Sequence, residues 1–185
     1  MSGARFLALG LLMAMCAGDA RGGSVPEFHL MPIRRLSPRE FPELPRGVVR
    51  ALESRGCEIP QTWLYDEPGN RLYKKPHNVI RGSFRGPGET DWAVLCSHHD
   101  SSTILIFWGG DASAPMTIAC ESDEGATQDV DGKGNLGYSR LLAVASPSKI
   151  LRYNPNLKAR AGDPGLHDGV EDYFVEMASV IYYFQ

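Results

Sequence analysis

Two short runs, Trp92-Ala93-Val94-Leu95-Cys96 and Ile104-Leu105-Ile106-Phe107-Trp108, constrain this chain more than any other feature. Each is apolar on both alternations. Successive residues of a strand point to opposite faces, so strands of this kind need a cover on both sides. His98-His99-Asp100-Ser101-Ser102 between them is short and polar, which predicts a tight turn and an antiparallel hairpin at the centre of a sheet. Residues 78–84 and 116–120 read as flanking strands.

One cover is written ahead of the hairpin. Pro45 suits the first turn of a helix, Val48, Val49 and Leu52 form a one-sided stripe, and Gly56 can end it in the left-handed conformation. Residues 60–77 are rich in Pro, Gly, Asn and Lys and read as a loop. After an acidic, glycine-rich stretch over 121–137, residues 138–145 and 149–153 look like a second hairpin around Ser146-Pro147-Ser148. Asp168 sits three before Glu171, a capping-box pattern, ahead of Val170, Tyr173, Phe174, Met177 and Ala178 at helical spacing. Residues 180–184 are β-branched and aromatic, a last strand. The expected fold is α+β, mostly antiparallel, with a central β-meander and an N-terminal helix packed on it. The globular domain is expected over 44–185, preceded at 21–43 by an extended lead-in carrying Pro26, Pro32, Pro38 and Pro42.

The first twenty residues read as an address. Arg5 precedes an apolar run of about a dozen residues, too short for the roughly twenty that cross a bilayer. Gly18-Asp19-Ala20 offers small residues for signal peptidase, so 1–20 is expected to be a signal peptide and the mature chain to start near Arg21. The competing lipoprotein reading makes Cys16 the acylated residue, but Met15 stands where such signals want a small side chain. Secretion, or residence in a periplasm, is the expectation, with no membrane-spanning segment in the mature chain. A net charge of -3 with 22% charged residues argues against a strongly basic nucleic-acid binder.

Cleavage removes one of four cysteines and leaves Cys57, Cys96 and Cys120. An oxidising compartment then predicts one disulfide and one free thiol. Cys96 and Cys120 fall on the first and third strands of a meander, about 9 to 10 Å apart and beyond a disulfide's reach. Cys57 must be one partner, and Cys57–Cys96 is the expected bridge, contributing roughly 3 to 4 kcal/mol by loop closure. The other reading is three reduced, buried thiols.

Sliding the chain by forty-six residues aligns Gly86 and Gly88 with Gly132 and Gly134, Leu95 with Leu141, and Ser102, Ile104 and Leu105 with Ser148, Ile150 and Leu151. Gly82-Ser83-Phe84-Arg85-Gly86-Pro87-Gly88-Glu89-Thr90-Asp91-Trp92, followed by Ile104-Leu105-Ile106-Phe107, resembles an FG-GAP (VCBS-type) repeat. Residues 128–135 resemble the start of a second, degenerate unit. The resemblance implies local hairpin geometry and an extracellular setting, and many members of that family bind calcium in the turn. Here Arg85 and Pro87 stand where the acidic ligands would be, which leaves Asp91. In the second unit Asp129 and Asp131 are followed by Lys133. Glu121, Asp123 and Glu124 could lend oxygens, but the loop reads better as a solvated acidic surface than as a calcium site, which wants six or more oxygens.

Catalytic patterns are thin. His98-His99-Asp100 invites a metal or acid–base role, yet adjacent strand residues point apart. Ser146-Pro147-Ser148-Lys149 has Ser-x-x-Lys spacing without the accompanying motifs. Cys120 would need a base to act as a nucleophile. Aromatics at Trp63, Tyr65, Tyr73, Tyr182, Tyr183 and Phe184 suit a contact surface. The expectation is therefore a secreted or periplasmic β-rich binding module that meets a protein or envelope component, with no catalytic, metal or cofactor residues assigned. The alternative is a small secreted hydrolase using His98, His99 and Asp100, or Asp91.

Overall fold

The computed structural model describes residues 27–70, 74–155, 157 and 166–184. The expected signal peptide with Cys16, and Tyr73, lie outside them. Twelve strands and two α-helices follow one another: β1 (His29–Leu30), β2 (Arg35–Leu36), α1 (Arg46–Ser54), β3 (Ile59–Pro60), β4 (Val79–Gly82), β5 (Asp91–His98), β6 (Ser101–Phe107), β7 (Met116–Ser122), β8 (Thr127–Asp129), β9 (Asn135–Tyr138), β10 (Arg140–Ala145), α2 (Pro147–Tyr153), β11 (Gly169–Phe174) and β12 (Ser179–Tyr182). They form four sheets, in the orders β4-β5-β6-β7, β10-β11-β12, β1-β9-β8 and β2-β3.

The α+β expectation is corrected. Strand takes 38% and helix 17%, so the fold is mostly β and the helices are accessories. Two segments differ from the expectation, in opposite directions. The second expected hairpin is a strand and a helix, because Ser146 caps α2, its Oγ accepting from the Lys149 N–H, and Pro147 takes the first helical position. The forty-six-residue echo therefore ends before Ser148, Ile150 and Leu151, which lie on α2. Residues expected as a C-terminal helix are β11 and the turn into β12. Both members of the apparent capping box have distant partners instead: Asp168 accepts from the Ser83 N–H at 3.0 Å, and Glu171 pairs with Lys149.

The central hairpin is buried on both faces. Trp92, Val94, Cys96, Leu105 and Phe107 meet a cover made of α1, through Val48 and Leu52, with Leu36, Phe41 and Ile59. That cover is bolted down by the Cys57–Cys96 disulfide, whose Cα atoms are 5.1 Å apart. Gly56, at φ +67, takes the left-handed position after α1, and the Cys57 N–H donates to the Leu52 carbonyl at 3.0 Å. The chain thus leaves the helix pointing at β5. Of the expected lead-in, 21–43, the described residues 27–43 are tied in: β1 runs parallel to β9, β2 is antiparallel to β3, and Pro38–Glu40 forms a 3-10 turn.

The opposite face of the hairpin, with Ala93, Leu95, Ile104 and Ile106, meets Phe84, Tyr138, Leu142 and Val170 in an inner core. A buried side chain, Asn78, helps to join the two sheets that enclose it. Asn78 donates from Nδ2 to the Arg140 carbonyl (3.2 Å) and the Pro60 carbonyl (2.6 Å), and its Oδ1 accepts from the Leu142 N–H (2.9 Å). Its own carbonyl accepts from the Leu95 N–H. The amide gives β10 the pair of bonds a neighbouring strand would supply. Asn is among the residues that tolerate the required φ of 71.

A second polar clasp holds the loop before β4. Gln61 Nε2 donates to the His77 carbonyl, Gln61 Oε1 accepts from the His77 N–H, and His77 Nε2 accepts from the Thr62 N–H at 2.9 Å. Burial pushes the His77 imidazole down from 6.5 to about 4, against a weaker opposing bond to the Lys75 carbonyl. The folded value lies below the unfolded one, so the unfolded chain binds more protons across that window and stability falls as pH drops from 6.5 towards 4. The full effect is roughly 3 kcal/mol. A His77→Gln variant, which keeps an acceptor for Thr62 but does not titrate, is expected to show a shallower loss of urea stability between neutral pH and pH 4.5. Parallel slopes in the two proteins would contradict the assignment.

Candidate functional site

Most of the residues singled out for chemistry are spent on structure. His99 and Asp100 form the two-residue loop between β5 and β6, both left-handed, at φ 49 and 56. The turn brings the His98 and His99 rings together, with centroids 3.7 Å apart and planes tilted by 37°. His98 Nδ1 faces the Gly56 carbonyl at 3.2 Å. Asp100 turns away to Arg35. Arg35 continues to buried Asp123 at 2.7 Å, whose Oδ2 also accepts from Ser97 Oγ. The structure therefore does not bring His98, His99 and Asp100 together as a triad. Asp91 is buried and fastens two loops, accepting from the Arg85 N–H and the Gly109 N–H.

The acidic loop is organised by its own backbone. Asp129 accepts from the N–H groups of Asp131, Gly132 and Gly134. Asp131 accepts from Asn135 Nδ2 and the Lys133 N–H, which hold its carboxyl below the usual range. Among the described residues no group of three or more His, Cys, Asp or Glu side chains is placed to hold a metal ion. Lys149 points its ammonium at Glu171, not at Ser146. The expected contact aromatics among the described residues are half-buried: Tyr182 and Phe184 pack against the inner core, Tyr183 stacks on His167 at 4.4 Å, and Tyr65 lies 6.0 Å from the His77 ring.

The densest constellation lies elsewhere, in a cleft of about 360 Å3 between β7 and β12. Its floor is Arg140, 1% exposed. Nε and Nη2 grip Asp172 at 2.8 to 3.2 Å, Nη1 donates to the Ser102 carbonyl and Oγ, and Nη2 also reaches the Ala119 carbonyl. Those contacts use the guanidinium's whole complement of five donors, so it has none left for a ligand. Tyr138 Oη lies 3.1 Å from Ser102 Oγ, and burial pushes its phenol up. Tyr182, on the wall, is raised by burial and then by the Asp172 charge. Cys120, the free thiol, and Glu121 form the rim.

Sequence reasoning missed this constellation. A charged residue inside the apolar alternation Tyr138-Ser139-Arg140-Leu141-Leu142 was the available signal, since a buried charge needs a buried partner. No protein-family model, curated protein or solved structure matches the chain.

Removing one member of a buried ion pair strands the other. Asp172→Asn is expected to cost about 3 to 5 kcal/mol, while the double variant Arg140→Met with Asp172→Leu recovers most of the loss. Urea unfolding of the single and double variants checks this, and equal losses in both would mean the packing, not the charge, matters.

Proposed function

We propose that the chain is a secreted or periplasmic binding module that works by surface contact with a protein or envelope component. The observation that carries the reading is the way its reactive side chains are used: the carboxylates of Asp91, Asp129 and Asp172, the guanidinium of Arg140 and the ammonium of Lys149 are all committed to holding the fold. The buried Cys57–Cys96 bridge supports an oxidising location, since such bonds persist outside the reducing cytosol. No helix among the described residues is long and apolar enough to cross a membrane. The resemblance of residues 82–107 to an FG-GAP unit fits an extracellular setting.

Two measurements test the proposal. Protein recovered from its source is expected to begin near Arg21 and, denatured without reductant, to titrate as one thiol, Cys120. Three thiols would place the chain in a reducing compartment. A hydrolase panel with and without added divalent metals is expected to show no turnover, and the His98→Ala, His99→Ala double variant to behave identically. Turnover that disappears in that variant would replace the binding reading with the hydrolase one.

A further inference from the structure

We propose that the cleft between β7 and β12 is a seam into which an extended peptide bearing basic side chains docks as an added strand. The inference rests on the binding reading above and names its site. Asn78 closes the two large sheets on one side of the inner core. On the other side, the sheets end in β7 and β12, and among the described residues no strand pairs with the outer edge of either.

The phase of the hydrogen bonds shows what β12 offers. The Val175 N–H donates to the Ser139 carbonyl, and the Phe174 N–H donates to the Ala178 carbonyl. Antiparallel alternation then turns the peptide groups of Ala178, Val180 and Tyr182 towards β11 and leaves those of Ser179 and Ile181 facing outward. Soluble proteins ordinarily protect such an edge with charge, proline or a bulge. Ser179-Val180-Ile181-Tyr182 has none of these, and Val180 is 55% exposed.

The opposite edge is built so that it cannot close the gap itself. Register passes from Ser102↔Glu121 to Ile104↔Ile118, so Ala119 and Cys120 together oppose Thr103 as a bulge. Ala119 takes φ 52, and Arg140 holds its carbonyl. The strand is bent at the point where pairing with β12 would begin. A third strand, hydrogen-bonded to β12, fits this geometry in the manner of β-augmentation.

Charge selects the occupant. Asp172 and Glu171 cancel Arg140 and Lys149. Glu121 on the β7 rim and Glu176 in the β11–β12 turn are both exposed and make no ion pair among the described residues. The uncompensated charge is negative at both ends of the edge. Between them lie Phe174, Val180 and Tyr182. The complement is a strand that alternates apolar with Lys or Arg side chains.

An octapeptide library displayed on phage and panned against the immobilised mature chain tests the seam. Retained peptides are expected to alternate apolar with basic residues. A retained peptide, dye-labelled and titrated by anisotropy, should bind at least tenfold more weakly to Glu121→Lys, and to protein whose Cys120 carries a bulky maleimide. N-methylation of one of its two alternate sets of amides should have the same effect. Hydrogen exchange at Ser179 and Ile181 should slow on binding. Panning that retains nothing, acidic peptides, or affinities indifferent to N-methylation and to the maleimide would overturn the seam. So would a concentration-dependent dimer protected at β12, which would give the edge to a second copy. An envelope component captured equally well by maleimide-treated protein would remove the seam and leave the binding reading standing.

Discussion

The whole molecule is arranged around one constraint, that a hairpin apolar on both faces must be shielded from water on both. Each shield is fastened by a different bond. Towards α1 the fastening is covalent, because Cys57 follows the left-handed exit from the helix and meets Cys96. Towards β10–β12 it is polar: the Asn78 amide imitates a strand edge, and Arg140 spans from β10 to the backbone of β7. A buried amide and a buried guanidinium are expensive unless every donor and acceptor is met. Both are met here, which makes these contacts specific as well as stabilising. The same commitment removes them from the set of groups that could do chemistry.

Much of the first shield was legible in the sequence. The period-two apolar runs, the polar turn, the Val48–Leu52 stripe and the terminal Gly56 all act locally, and each predicts its own element. Strand order narrowed the disulfide, since a meander keeps Cys96 and Cys120 apart and makes Cys57 one partner, and the favoured Cys57–Cys96 bridge is the one seen. The second shield was legible in part: residues 138–145 and 180–184 read as strands and hold β10 and β12, but β11 between them was missed. Asp168 and Glu171 carry a helix-start spacing, but Ser83 and Lys149 claim them across the fold, and β11 pairs on both sides. Ser146-Pro147 is a sound helix signal, outweighed in the sequence by the β-like run that follows it.

The candidate site was harder still. Arg140 and Asp172 are 32 positions apart, and nothing local marks them as partners. An open edge is a property of sheet order, which depends on which strands fail to pair. The bulge at Ala119 and Cys120 is invisible before register is known, although it decides where the free thiol and Glu121 point. His98-His99-Asp100, by contrast, was conspicuous in the sequence and proves to be a turn whose two left-handed positions suit His and Asp.

The two shields also differ in when they can be assembled. The β5–β6 hairpin closes through neighbouring residues, and its outer cover, residues 35–60, is synthesised before it. The inner cover comes from residues 138–184, which follow the hairpin, and β1 must wait for β9 to arrive from more than a hundred residues downstream. Contacts so distant in sequence are slow to form. A nascent chain stalled in this interval would present Ala93, Leu95, Ile104 and Ile106 bare on one side of a finished hairpin. That is the kind of surface that chaperones retain and proteases find. Completion of the inner shield therefore waits on the delivery of residues 138–184.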